Sequence, residues 1–281
     1  MKFDKINSLA KINLSLNVIK RLPNKYHKIE SLISFVNFFD EIKIRETNKS
    51  KNKISFSGKF GKNIGKNNTI FKLLKLLEKK IIKNKRFEVK IKKNIPPKSG
   101  MGGGSMNAAS ILKYLMKKNF LKISNKQAKQ IACRVGSDVI LGLEKKNSIL
   151  FKNGKIGRLK KTICFHVLIV MPNFGCSTKR IFSEVKKFSK SIYSNTNKSY
   201  FSINNLLKSN NDLERVVLKK YSKTKKLKHF LSKLPKVIFV RMTGSGSAFV
   251  AYFKFKNSAK NAAKIFENKY KGYWFTVSKT I

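Results

Sequence analysis

The first half of the chain carries two kinds of hydrophobic pattern. Ile12, Leu14, Leu16 and Val18 alternate with polar residues, which is the period-two signature of a half-buried strand. Other segments repeat apolar residues every three to four positions, which predicts helices with one apolar side. These patterns predict the following further elements: strands at 32–44, 54–56, 87–91 and 148–151, and helices at 70–82, 108–116 and 126–135.

The second half of the chain has a different order of elements. When two additional helical stretches within 203–233 are set aside, the order is β-α-β-β-α-β, which is typical of a ferredoxin-like domain. Gly154, Gly157 and a lysine-rich stretch interrupt the pattern near residues 155–162, so we place a domain boundary there. The elements predicted for this half are strands at 166–171, 237–241, 248–255 and 273–278, helices at 177–188 and 258–268, and a polar loop at 189–200.

Length and hydrophobic content indicate two domains. The chain has 281 residues, of which 41% are hydrophobic, and this is enough for sizeable cores. Its three cysteines form no CxxC pair and no zinc-finger spacing, so neither a disulfide framework nor a structural zinc is indicated. The pattern of a signal peptide is absent, and no run of ~18 apolar residues occurs. We therefore expect a cytoplasmic protein with no membrane partner.

The charge is strongly positive, because 64 Lys and Arg stand against 13 Asp and Glu, giving a net +51. Such a chain could bind RNA or DNA through phosphate contacts. Only eight of the 64 cations are Arg, however, and Arg is the residue that phosphate and base recognition favours. The lysines are spread along the whole chain beside abundant Asn, Ile and Phe, which share AT-rich codons. We interpret the charge as compositional drift and expect no specific nucleic-acid partner.

A glycine-rich segment at residues 95–109 carries the clearest chemical signal. A strand ends at Pro96-Pro97, four glycines follow within residues 100–104, and an amphipathic helix begins at once. Glycine lets the backbone approach a ligand closely, and the N–H groups at a helix start attract anions. The segment therefore predicts a phosphate site, with a flexible hinge as the alternative. No GxxxxGK[ST] P-loop occurs, and the dinucleotide pattern GxGxxG fails at Ser105.

Three other features are weak when each is taken by itself. A second glycine cluster at 243–247 lies between two predicted strands and fits a hairpin turn. Asp138 follows a glycine and precedes an apolar stretch, where a carboxylate could merely cap a segment. Lys11 opens the first strand beside Asn13, and as one lysine among many it carries no information alone.

In order and spacing, these motifs resemble the three motifs of the GHMP kinase superfamily. They are Ala10-Lys-Ile-Asn-Leu, the glycine segment from Pro97 to Ala109, and Thr243-Gly-Ser-Gly-Ser. Further markers resemble one branch, which phosphorylates an alcohol bearing a cytidine diphosphate during isoprenoid precursor synthesis. The markers are Tyr26-His27, Gly136-Ser-Asp138-Val and Asn211-Asp212-Leu-Glu214.

The resemblance covers nearly the whole chain and implies an α+β fold of two domains. The N-terminal GHMP kinase domain, residues 1–158, would be ribosomal-protein-S5-domain-2-like and carry the ATP and catalytic residues. The C-terminal domain, residues 159–281, would be ferredoxin-like. The implied cofactors are ATP and Mg²⁺, with the magnesium carried mainly on ATP and no metal site assigned to protein side chains. We expect a monomer or a weak homodimer.

The resemblance also implies roles for individual residues. Asp138 is similar to the base that accepts the substrate hydroxyl proton, and Lys11 to the residue that holds the developing charge. Tyr26 and Phe182 would sandwich the cytosine ring, while His27 would hydrogen-bond its edge. The other implied substrate-binding positions are Asn13, Thr178, Thr243, Gly244 and Ser245, and those around the ATP phosphates are Pro96, Pro97, Lys98, Ser99, Gly100, Met101, Gly102, Gly103, Gly104, Ser105 and Met106.

This sequence departs from the family pattern at four positions, one of which is Asn24, where Asp is usual. Leu9 stands where Pro is usual and Met106 where Ser is commonest, and we expect both changes to be neutral for the scaffold. Lys25 replaces a glycine in the turn that precedes Tyr26, where a glycine can adopt a positive φ.

Two other functions fit part of the pattern. Another GHMP kinase, acting on a sugar, homoserine or mevalonate derivative, would share the glycine loop. The aromatic residues Tyr26 and Phe182 argue against this function, because an aliphatic substrate has no ring for them to stack on. A basic RNA-binding protein would fit the charge and a first domain that resembles a ribosomal-protein fold. The chain has neither an RNP-type aromatic strand motif nor an arginine-rich arm to support that function.

Overall fold

Contacts within the chain group it into two compact units. The computed structural model describes residues 2–24, 26–62, 64–65, 67–80, 85–160 and 162–281. None of the helices in these ranges is long and apolar enough to cross a membrane. The first unit comprises Met1–Ala10, Phe38–Pro97 and Gly102–Lys145, and the second unit comprises Lys11–Asn37, Lys98–Met101 and Lys146–Ile281.

Two long strands, β1 (Asp4–Arg21) and β2 (His27–Thr47), pair with each other and contribute residues to both units. The alternation at residues 12–18 predicted one buried face for the first strand. Instead, all residues from 10 to 18 are buried, the polar ones as well as the apolar ones. The prediction of a half-buried strand is therefore wrong. Its enclosed polar side chains each require a hydrogen-bond partner, because water cannot supply one.

The first unit packs three helices against strands. β3 (Lys53–Ser57) runs parallel to β4 (Arg86–Lys92), and β4 pairs antiparallel with the end of β2. Parallel neighbours need a crossover connection, which the first helix provides. Apolar residues of strands and helices share one core. The helices are α1 (Thr69–Lys80), α2 (Gly103–Lys117) and α3 (Asn125–Val135), followed by a 3₁₀ turn at Val139–Leu143.

The second unit contains the predicted ferredoxin-like sheet. Its four strands lie in the order β10-β7-β9-β8, and all neighbours are antiparallel. Separately, β5 (Asn147–Leu150) pairs with the first part of β2 and with β6 (Ile156–Leu159). The remaining elements are β7 (His166–Met171), α4 (Thr178–Ser183), α5 (Ile203–Lys208), α6 (Asp212–Lys220), α7 (Ser222–Ser232), β8 (Phe239–Met242), β9 (Phe249–Phe253), α8 (Lys256–Lys269) and β10 (Trp274–Lys279).

Most predicted elements are present, and three predictions need correction. The interruption near 155–162 contains strand β6, which pairs with β5 as a hairpin. The region 203–233 holds three helices rather than two, since helix α6 ends at Lys220 and α7 begins at Ser222. The helix predicted for 177–188 ends at Ser183. The boundary between residues 158 and 159 remains a prediction, and residues 81–82 of the first predicted helix lie outside the described residues.

Tertiary hydrogen bonds explain why helix α4 is short. The backbone N–H of Ser189 donates to the carbonyl of Val18 at 2.9 Å, and the Ser189 hydroxyl donates to Asp212 at 2.8 Å. Farther along, the Ser191 hydroxyl donates to Glu30 at 2.8 Å. These bonds hold the chain extended beside β1 and β2. Local apolar spacing cannot reveal them, because every partner is distant in sequence.

We expect Ser15→Lys to prevent folding, because Ser15 is fully buried within β1. Its hydroxyl lies 2.6 Å from the Tyr193 hydroxyl and accepts from the N–H of Leu32 at 3.0 Å. An unpaired ammonium there would cost several kcal/mol. The matched control is Asn7→Lys, at an exposed position of the same strand. Urea unfolding and circular dichroism would measure both, and a folded Ser15→Lys variant of normal stability would contradict two-sided burial.

Candidate active site

The glycine segment bends sharply before helix α2. Lys98, Gly100 and Gly102 have φ angles of 53°, 80° and 67°, so three backbone positions adopt the left-handed region. Gly102 is the N-cap of α2, and its carbonyl accepts from the N–H of Met106 at 2.9 Å. The first N–H groups of a helix have no partner within the helix, and this helix has no acidic residue in its first turn. This end of α2 is therefore suited to an anion.

Residues 98–101 of the loop belong to the second unit and are fixed there by backbone hydrogen bonds. The Lys98 carbonyl accepts from the N–H groups of Cys176 at 3.3 Å and Ser247 at 3.2 Å. The N–H of Lys11 donates to the Met101 carbonyl at 3.1 Å. Glycine is required at position 100, because a Cβ there would lie 1.9 Å from the Thr243 carbonyl oxygen. The loop therefore lies directly against the second glycine cluster.

The second glycine cluster, residues 243–247, forms the predicted hairpin turn between β8 and β9. The Thr243 hydroxyl accepts from the N–H of Asn13 at 3.0 Å and donates to the Gly100 carbonyl at 3.3 Å. The Ser245 and Thr178 hydroxyls are 2.8 Å apart. The second unit thus brings together four side chains that the sequence assigned to substrate binding: Asn13, Thr178, Thr243 and Ser245.

Lys11 and Asp138, the predicted catalytic residues, have different environments. Lys11 is 4% exposed, and its Nζ donates to Asn13 Oδ1 at 2.7 Å. Asn13 Nδ2 in turn donates to the Ser31 hydroxyl at 2.8 Å, which orients the amide oxygen toward the lysine. Asp138 is half-buried at the start of the 3₁₀ turn, where its carbonyl accepts from Leu141. Lys11 belongs to the second unit and Asp138 to the first, and their joint action remains a prediction.

His27 lies in an aromatic cluster of the second unit. Its ring centroid is 5.2 Å from that of Phe182 and 6.4 Å from that of Phe188, both tilted. Within the described part of the chain, its buried Nε2 has no hydrogen-bond partner. Burial and then the Arg21 charge lower the pKa of His27, which favours the neutral ring at neutral pH. A neutral imidazole offers one donor and one acceptor, as recognition of a base edge requires.

Tyr26, the other half of the predicted cytosine sandwich, is 72% exposed. Its N–H donates to Asn24 Oδ1 at 3.2 Å, and its carbonyl accepts from the N–H of Leu22 at 2.7 Å. Lys25, the departure in this turn, lies outside the described residues. Tyr26 directly precedes His27 in the chain, and its sandwich with Phe182 remains a prediction.

Several buried polar residues that support the site had no role assigned from the sequence. Asn211 Nδ2 donates to the carbonyls of Met242 and Gly244, both at 2.8 Å, and so holds the second glycine turn. Glu214 accepts from the N–H of Met242 at 2.7 Å. Asp40 accepts four hydrogen bonds in the first unit. The signal for Asn211 and Glu214 was the marker Asn211-Asp212-Leu-Glu214, and the signal for Asp40 was the scarcity of acids, of which the chain has 13.

Comparison with known proteins gives two family matches. The model described as GHMP kinases N terminal domain matches residues 68–145, and GHMP kinases C terminal matches residues 195–272. The 4-diphosphocytidyl-2-C-methyl-D-erythritol kinase of Pelagibacter ubique (strain HTCC1062) is 49% identical over 278 residues, covering 99% of each chain. The kinase of the same name from Clostridium perfringens (strain 13 / Type A) is 30% identical over 288 residues, covering 99% of this chain and 98% of its own.

Solved structures show the same fold. A crystal structure of 4-(cytidine 5'-diphospho)-2C-methyl-D-erythritol kinase matches with a TM-score of 0.79 at 20% identity, covering 98% of this chain and 99% of that chain. Homoserine kinase from Cytophaga hutchinsonii ATCC 33406 matches with a TM-score of 0.72 at 14% identity, covering 100% and 95%. At these identities the likeness establishes the fold, and kinases for different alcohols share it.

We expect Gly100→Ala to destabilise the protein far more than Gly154→Ala. Both glycines have a φ of 80°, so a left-handed alanine costs about 1–2 kcal/mol at either position. Among the residues that the structure describes, a Cβ at Gly154 meets no atom within 4 Å, whereas one at Gly100 would overlap the Thr243 carbonyl. Urea unfolding would measure the difference. Equal losses in the two variants would show that the loop does not lie against the second glycine turn.

Proposed function

The chain belongs to the GHMP kinase family, and from this premise we propose that it uses ATP to phosphorylate the 2-hydroxyl of 4-diphosphocytidyl-2-C-methyl-D-erythritol. This transferase reaction is a step in the non-mevalonate (methylerythritol phosphate) route to isoprenoid precursors. The observation that carries the proposal is the 49% identity with the Pelagibacter ubique kinase, which extends over 99% of each chain. The fold alone would not select this acceptor, because homoserine kinase shares it.

The proposed site for the ATP phosphates is the glycine segment, Pro96 to Met106. Left-handed backbone at Gly100 and Gly102 and the open first turn of α2 support this proposal. At Gly103 a Cβ would lie 3.0 Å from the Ile95 side chain, so the Ile95 side chain already occupies the space beside this glycine. Backbone N–H donors in this position bind phosphate oxygens without a change in protonation. In the proposal, ATP binds this segment through its phosphates and is the phosphate donor.

Lys11 and Asp138 are the proposed catalytic residues. Phosphoryl transfer depends on positioning and charge neutralisation more than on covalent help. We assign Asp138 to accept the proton of the acceptor hydroxyl and Lys11 to stabilise negative charge in the transition state. Mg²⁺ would enter with ATP and neutralise its phosphates. The described residues contain no group of three or more His, Cys, Asp or Glu that could hold a metal ion, so the proposal assigns no protein ligands to it.

The proposed cytidine site consists of His27, Phe182 and Tyr26. The buried Nε2 of His27 supports it, because it has no hydrogen-bond partner among the described residues and a ligand could supply one. The Phe182 ring packs beside His27 and offers a stacking face. Asn13, Thr178, Thr243, Gly244 and Ser245 complete the proposed substrate positions.

We further propose that the enzyme works in the cytoplasm as a monomer or weak homodimer. Its three cysteines are all free, two exposed and one buried, and free thiols persist in a reducing compartment. Its substrates would be the small cytidylyl alcohol and ATP, with neither a specific nucleic acid nor a membrane as partner. Charged, water-soluble substrates of this kind are available in the cytoplasm.

The direct test of the proposal is ADP release from ATP and Mg²⁺ with a panel of alcohols. We expect turnover with the cytidylyl alcohol, and a large loss with the same alcohol phosphate that lacks the nucleotide. Homoserine and mevalonate should not be phosphorylated at comparable concentrations. Equal kcat/KM values with and without the cytidine would contradict the proposed acceptor.

We expect Asp138→Asn to lower kcat about 10²- to 10⁴-fold, because an amide of the same shape cannot accept a proton. ATP affinity, measured by calorimetry, should stay within a few-fold. Lys11→Met should also lower kcat strongly through the loss of charge stabilisation. The control is Glu267→Gln, which removes one exposed carboxylate from α8. Near-normal turnover in Asp138→Asn would rule out the assignment.

We expect Phe182→Ala to weaken the cytidylyl substrate about 5- to 150-fold, the range for loss of one base-stacking face. Tyr26→Ala should act in the same direction, and His27→Ala should erode the preference for cytosine over uracil. The control is Phe255→Ala, since this ring is 59% exposed and has no proposed role. The measurement is the ratio of kcat/KM with and without the nucleotide. An unchanged ratio in Phe182→Ala would place the base elsewhere.

A further inference from the structure

A buried ion pair in the first unit has no role in the proposed chemistry. The side chains of Asp40 and Lys93 are 0% and 7% exposed, and Lys93 Nζ donates to Asp40 Oδ2. Removing both charges from water is costly, and apolar residues of similar size are often as stabilising as a buried pair. Stability alone is therefore a weak explanation for this pair. Its position beside the glycine segment offers another one.

Asp40 uses each carboxylate oxygen for two donors. Oδ1 accepts from the backbone N–H groups of Asn94 at 2.8 Å and Ile95 at 2.9 Å. Oδ2 accepts from Lys93 Nζ and from Asn107 Nδ2, the latter at 3.0 Å. One side chain of β2 thus connects the segment that leaves β4 with the second turn of helix α2. These are the two flanks of the glycine segment.

Lys93 lies directly beneath the first residue of α2. A Cβ built on Gly103 would be only 3.3 Å from Lys93 Nζ, so the ammonium is near the N–H groups at the helix start. A helix N-terminus carries roughly half a positive charge, and a lysine beside it adds a full one. Burial lowers the pKa of Lys93, and the Asp40 carboxylate opposes that shift. Without the carboxylate, two positive charges would face each other with no compensation.

We propose that Asp40 is a positioning residue for the ATP phosphates. It fixes the entry to the glycine segment through two backbone N–H groups, and it holds the Lys93 ammonium under the first turn of α2. The lysine charge then adds to the helix dipole where the phosphates bind, while the carboxylate keeps that charge stable in the free enzyme. This inference rests on the proposed use of ATP at this loop, and it adds the residues that make the loop an effective anion site.

The test is Asp40→Asn, which preserves one acceptor for the Asn94 and Ile95 N–H groups but removes the charge facing Lys93. We expect Kd for a nonhydrolysable ATP analogue with Mg²⁺ to rise about 10- to 100-fold, as loss of charge-assisted bonds predicts. The KM of the cytidylyl alcohol should change less than about 3-fold, because the change acts on the phosphate loop alone. Calorimetry gives the first value and initial rates the second.

The matched control is Glu41→Gln, which removes one negative charge at the neighbouring position of the same strand. Glu41 forms an exposed ion pair with Lys92 at 3.1 Å, and its side chain also hydrogen-bonds Asn94. The affinity of Glu41→Gln for the nonhydrolysable ATP analogue should equal that of the wild type. If a folded Asp40→Asn variant instead weakened the ATP analogue and the cytidylyl alcohol to the same extent, this result would overturn the positioning role.

A double variant keeps the proposal testable if the single change does not fold. Asp40→Asn with Lys93→Met replaces the ion pair by a neutral pair, which removes the uncompensated buried charge. It should fold and still bind the analogue weakly, and wild-type affinity in this variant would overturn the proposal. Binding of the analogue by a wild type that cannot phosphorylate the cytidylyl alcohol would refute the proposed acceptor only. No binding by the wild type would overturn the positioning role as well.

Discussion

The burial of both faces of β1 is the constraint on which the second unit depends. A buried polar group without a partner costs about 1–3 kcal/mol, so the polar side chains enclosed at residues 11–17 of this strand are stabilised by having one. Asn13 donates to the Ser31 hydroxyl, and Asn17 Nδ2 donates to Glu30 at 3.1 Å. The Ser15 hydroxyl forms a hydrogen bond with the Tyr193 hydroxyl. These partners come from β2 and from the extended chain after α4. The segment that presents Lys11 is therefore fixed by the same bonds that close the core.

The scarce acids and the large positive charge have a common consequence. Five carboxylates are buried, and each binds backbone N–H groups or basic side chains inside its own unit. Few acids are then left on the surface to balance the lysines, which leaves the net charge of +51 largely exposed to solvent. Such a surface attracts anions without selecting among them, because attraction to many scattered, exposed charges imposes no specific geometry on the anion. The buried acids are Glu30, Asp40, Glu88, Asp212 and Glu214.

The glycine segment combines backbone conformation with neighbours from distant parts of the chain. Gly100 is required because Thr243 occupies the space of a side chain, and Gly102 because the chain turns left-handed before α2. Asp40 and Lys93 then supply charge beneath the helix start. The proposed phosphate site would use N–H groups whose directions are set by packing, since a free glycine loop would sample many conformations.

The sequence by itself determined most of the strands and helices, the ferredoxin-like topology and the family. Periodicity and glycine spacing are local signals, and residues such as Gly100 and Thr243 are recognisable within short motifs. Tertiary structure alone decided that β1 is enclosed, that α4 ends at Ser183, that β6 fills an apparent interruption and that Asp40 joins the two flanks of the loop. The physical reason is that all of these features except the local β5–β6 hairpin depend on hydrogen bonds between residues far apart in sequence. Such bonds leave no periodic trace in the chain.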